Sequence, residues 1–207
     1  MKRFSVIALT KLALALAGGS AAAQVPLQDM QQTGPVSVSE GLALFEERCR
    51  LALFDPNAFI ASVPPTLPIG GSAFSQSPDQ QILTAHEYRV PWFIEFYISS
   101  TGNQRMLRCS AHNFAEFGYN PTPEAPDVLA QKLTAAFAAR SDGTLVGGLM
   151  PRNYAQMYGR DMVDVPEFHQ HYYAASLDWD GERVPVWIDV HAGGLSFITV
   201  RIEEIGQ

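Results

Sequence analysis

The sequence predicts an α+β fold: an antiparallel sheet that includes a C-terminal three-stranded meander, with two or three helices packed on it. One of those helices is expected to be tied to the sheet by a disulfide. Three observations carry this. Apolar residues recur at helical intervals between Ser37 and Leu53; β-rich segments follow, separated by turn residues; and the two cysteines, Cys49 and Cys109, fall one in each kind of segment.

The chain opens with Met1-Lys2-Arg3 and an apolar run from Phe4 to Ala17, interrupted by Lys11, then Gly18-Gly19-Ser20 and Ala21-Ala22-Ala23. This is the pattern of a secretory signal peptide over residues 1–23, with cleavage near Ala23. The run is too short, and too charged, to span a bilayer. Residues 24–36, rich in Gln, Gly and Pro, are expected to form a flexible tail, and residues 37–207 a single globular domain. The implied location is periplasmic or secreted. There, an even pair of cysteines favours a structural bridge over two free thiols.

Ser37 and Glu40 have capping-box spacing, and Val38, Leu42, Phe45, Cys49 and Leu53 mark one apolar helical stripe. Asp55-Pro56 reads as the cap and first residue of a second helix through about Ser62. Residues 64–77, with Pro, Gly and Ser throughout, read as a surface loop. Trp92 to Ile98 and Gln104 to His112, separated by Thr101-Gly102-Asn103, form a hairpin with Cys109 on its return strand. Pro126 opens a third helix carrying Val128, Leu129, Leu133 and Phe137, and Thr144 to Leu149 reads as a short strand. Residues 150–168 show no clean period. Tyr172 to Trp179 and Glu182 to His191 flank Asp180-Gly181, the signature of a two-residue hairpin turn, and Leu195 to Ile202 returns after Gly193-Gly194. Pro185 is expected to make part of its strand an edge or a bulge.

The formal charge of the full chain is −7, and loss of Lys2, Arg3 and Lys11 with the signal takes it to −10. That balance argues against nucleic acid and against an anionic membrane surface as partners. No membrane span is expected after cleavage.

Motifs for chemistry are sparse. His169-Gln170-His171 and Asp189-Val190-His191 each place possible ligands two residues apart. With Asp180-Gly181 as the turn, however, Leu177 faces Val184, Ala175 faces Val186 and Tyr173 faces Ile188. His171 then falls on that apolar face and His191 on the other, which excludes one cluster of them all. A softer metal set, Met150, Met157 and Met162 with His169 and His171, suits copper. No other cofactor is expected. Gly-x-Ser-x-Gly, His-Glu-x-x-His and Ser-x-x-Lys are missing from the mature chain. Ser110 and His112 are read as lying on opposite faces of a strand, a poor arrangement for a nucleophile and its base. Glu95 is read as facing water on the open side of the sheet rather than as a buried acid.

The remaining signal is recognition. Phe114, Phe117, Tyr119, Arg152, Tyr154 and Tyr158 fall in two loop segments and are residue types enriched at binding surfaces. Their bland alternative is a satellite core under the loops. The favoured expectation is a non-catalytic binding module for an envelope protein, a polymer or a small ligand. The alternatives are an envelope enzyme of hydrolase type with an unfamiliar site, and a copper- or metal-handling protein.

Overall fold

The computed structural model describes residues 35–67, 71–77, 81–89, 91–113, 124–140, 145–152, 171–191 and 194–205. The expected signal peptide and most of the expected N-terminal tail lie outside these residues. The elements run α1 (Val38–Phe54), α2 (Pro56–Ser62), β1 (Phe74–Ser77), β2 (Ile82–Arg89), β3 (Trp92–Thr101), β4 (Gln104–Asn113), α3 (Pro126–Ala138), β5 (Leu145–Arg152), β6 (His171–Trp179), β7 (Glu182–His191) and β8 (Gly194–Glu204).

All eight strands join one antiparallel sheet in the order β1-β2-β3-β4-β8-β7-β6-β5. Each half of the chain therefore supplies helix and then a four-stranded meander, and the two meanders meet where β4 pairs with β8, from Gln104↔Glu204 to Asn113↔Leu195. The sequence shows no repeat, yet the topology does. The three C-terminal strands pair in succession, but within the run of four from β5 to β8.

The helices cover one face of the sheet. α1 lies across β3, β4 and β8, while α3 lies over β5, β6 and β7. Phe45 of α1 packs 5.5 Å from Phe197 and 5.7 Å from Trp179, and Phe59 of α2 packs 5.2 Å from Phe96. The Trp92 indole occupies the space where a Cβ on Gly41 would stand, so a glycine in the first turn is what lets α1 approach β3.

Cys49 and Cys109 are bonded, with Cα atoms 5.4 Å apart, and both are fully buried. The link ties α1 to the sheet as the sequence predicts. Beside it lies a buried ion pair: Arg48 and Glu87 are only 5% and 3% exposed. Arg48 donates to Glu87 at 2.6 Å and to the Ser62 hydroxyl at 2.7 Å, and its guanidinium stands 4.9 Å from the centre of the Phe59 ring.

Several local expectations need adjustment. Ser37 stands at the N-cap of α1 but its side chain makes no cap hydrogen bond, whereas Asp55 does cap α2, accepting from the Ala58 N–H at 3.0 Å. Packing reaches back into the expected tail, since Val36 is buried and its N–H donates to Glu124 at 2.7 Å. Residues 64–77 are not all loop: β1 forms there by pairing with β2, so a tertiary partner overrides a turn-rich composition. β5 extends to Arg152, past the expected end. Asp180 and Gly181 both adopt positive φ, as a type I′ hairpin requires. Pro185 pairs across to β6, but the β7·β8 ladder starts only at Val186, so the proline lies where that side of β7 needs no donor.

Candidate functional site

Side chains alternate along a strand, so the residues between those that meet the helices form a second face, free of helices among the described residues. Register fixes which strands contribute what. One row across this face reads Tyr88, Phe93, His112, Ser196, Asp189, Tyr172 and Arg152, contributed by β2, β3, β4, β8, β7, β6 and β5. The next row begins with His86, Glu95, Ser110, Ile198 and Trp187.

His112 is the centre of the polar part. Its Nε2 lies 2.6 Å from the Ser110 hydroxyl and its Nδ1 lies 3.0 Å from that of Ser196. Burial pushes this imidazole down to about 4; Glu95 opposes the shift, while Arg108 and His191 add to it. At neutral pH the ring is therefore uncharged, donating to one serine and accepting from the other. Glu95, from β3, holds His86 at 3.4 Å. That hydrogen bond lowers the carboxyl below its usual range against the opposing effect of burial, with His112 and Arg108 assisting. The His86 ring lies tilted 5.0 Å from Phe93, which stands 5.9 Å from Tyr88. The His191 imidazole lies where a Cβ on Gly194 would stand.

Ser110 and His112 thus share a face and a hydrogen bond. The expectation of opposite faces is corrected: residues two apart on a strand point the same way. Ser110-Ala-His112 carried that signal in the sequence. Ser196, 84 residues from His112, did not, because only the β4·β8 pairing brings them together. Chemically the trio contains a serine and a base, yet Ser110 is 0% and Ser196 3% exposed, which leaves neither hydroxyl open to a substrate. The arrangement bridges the seam between the two meanders. Glu95 does stand on the open side of the sheet, as expected.

Cys49 and Cys109 form the predicted bond. Arg152 and Met150 both lie on β5, exposed, with the guanidinium 3.8 Å from the thioether sulfur. His171 lies on the helix-covered face, bonded at 2.7 Å to Asp127 in the first turn of α3. Met150 pairs with Ala174 on the other face, so these two members of the copper set do not meet. Among the described residues no group of three or more His, Cys, Asp or Glu is placed to hold a metal ion. Phe114, Phe117, Tyr119, Tyr154, Tyr158, Met157, Met162 and His169 lie outside the described residues. The register does confirm Leu177 opposite Val184 and His171 opposite Val190, with His191 on the far side.

Fold and site together define a disulfide-bonded α+β domain with one helix-covered sheet face and one that no described helix covers. No protein-family model, curated protein or solved structure matches the chain. No helix among the described residues is long and apolar enough to cross a membrane.

Proposed function

We propose that this is an exported, non-catalytic binding domain that meets its partner through the helix-free face of the sheet. One observation carries the reading: that face presents Phe93, Tyr97, Trp187 and Arg108 partly exposed, while the helices bury the other. Tyr, Trp and Arg are the side chains that dominate binding energies at interfaces. The signal-like N-terminus and the Cys49–Cys109 bond support export, since such bonds persist in oxidising compartments. The aromatic loop segments proposed from sequence are a further part of this reading: Asn113 and Arg152, the last described residues before them, both stand at the end of the sheet that carries His112.

The test is photo-cross-linking in envelope extract. A benzoylphenylalanine at Ser99, on the open face, is expected to give adducts, and one at Gln131, exposed on α3, is not. Adducts from Gln131 alone, or from neither position, would sink the reading.

A hydrolase reading is favoured by the 2.6 Å contact between Ser110 and His112. A fluorophosphonate probe separates the two readings. A buried Ser110 stays unlabelled, whereas labelling that disappears in Ser110→Ala would make the protein an enzyme.

A further inference from the structure

We infer that the helix-free face docks a protein partner whose apolar surface carries a carboxylate, with Arg108 reading the acid and Ile198, Val200 and Ile202 seating the apolar part. This rests on the binding reading above and names the class of partner.

The seat follows from alternation along β8. Ile198, Val200 and Ile202 are spaced by two and share the open face, and Ile202 is 65% exposed, the most exposed of the large hydrophobic residues described. Arg108 stands within this stripe. Tyr97 is its neighbour on β3 and Val200 its neighbour on β8. Arg48, Arg50, Arg89, Arg105, Arg140 and Arg201 each pair with a carboxylate. Arg108, partly buried near the middle of the sheet, makes no hydrogen bond or ion pair with any described residue. The nearby acid, Glu95, holds His86 and acts on Arg108 through space without forming an ion pair with it.

A partner that covers this guanidinium without neutralising it would strand a desolvated charge, which is strongly unfavourable. A carboxylate surrounded by apolar side chains removes that penalty and matches the stripe. The shape favours a macromolecule over a small ligand, since small ligands prefer concave sites and a sheet face is extended. The depression lined by Asp127, Gln131, Thr134 and Tyr173 lies on the other side, against α3. Branched aliphatics favour protein over glycan, which needs hydroxyl-matching polar groups. The chain's acidity disfavours an anionic lipid surface.

The test is selection of a displayed random-peptide library on the full mature chain, as wild type, Arg108→Glu and Val200→Asp. Unchanged melting temperatures of the two variants establish that each is folded. Wild type is expected to enrich apolar peptides bearing Asp or Glu, and each variant to weaken their binding by about tenfold or more. Arg108→Glu should also shift the selected charge to Lys or Arg. Peptides lost in Val200→Asp but indifferent to Arg108→Glu would overturn the acid-reading role while leaving the face intact. No enrichment, together with binding to phosphatidylethanolamine–phosphatidylglycerol vesicles or self-association through this face, would overturn the protein partner itself.

Discussion

The two faces of one sheet differ in how their polar groups are held. Under the helices, the charged pair Arg48–Glu87 is sealed among aromatic side chains next to a covalent link. On the other face, His86 and Glu95 are hydrogen-bonded and partly exposed, His112 is held between the buried Ser110 and Ser196, and Arg108 makes no ion pair with a described residue. A polar group enclosed by core must be satisfied permanently within the chain, whereas one beside solvent can remain available to a partner. The covered face is thus expected to set stability, and the open face to set recognition.

The largest effect that tests this division is removal of the bond between α1 and β4. A Cys49→Ala, Cys109→Ala double variant reopens a loop of 60 residues in the unfolded chain, and loss of about 4 kcal/mol is expected from urea unfolding. A loss below about 1 kcal/mol would show that helix packing alone holds this face. Somewhat smaller is Glu87→Ala, which leaves the Arg48 guanidinium buried without its carboxylate at a cost of about 3 kcal/mol. Arg89 also bonds Glu87 but is half exposed, so Arg89→Ala should change stability by less than about 1 kcal/mol. Equal losses from these two would erase the distinction between enclosed and exposed partners.

Legibility followed the range of the interactions. The α1 stripe, the Asp55 cap and the Asp180-Gly181 hairpin depend on neighbours within a few residues, and each could be read directly. Cys109 could be assigned to a strand because its hairpin partner is near in sequence. β1 could not, since Phe74–Ser77 becomes a strand only through β2. The pairing of β4 with β8 joins residues 84 apart at His112 and Ser196, and no local pattern specifies it. With it went the open-face cluster: Glu95 was placed on the correct side, but His86 and Ser196 were not connected to it. Arg108 gave no signal, because an arginine without an ion pair is recognisable only once its surroundings are known.

A further effect belongs to the open face and separates its groups by pH. His112 titrates at about 4 in the folded chain against 6.5 unperturbed, so between those values the unfolded chain binds more protons and stability falls as pH falls. From pH 7 to pH 5 this one group should remove about 2 kcal/mol. Glu95 acts in the same direction but lower, because its depressed carboxyl contributes stability that is lost as pH falls below its unperturbed 4.5. His112→Gln keeps hydrogen-bonding capacity toward Ser110 and Ser196 without the titration. Urea midpoints of that variant should therefore stay nearly flat from pH 7 to pH 5 and decline only below about 4.5, where Glu95 responds. An unchanged acid slope in His112→Gln would mean that the sensitivity of the open face does not originate at the seam between the two meanders.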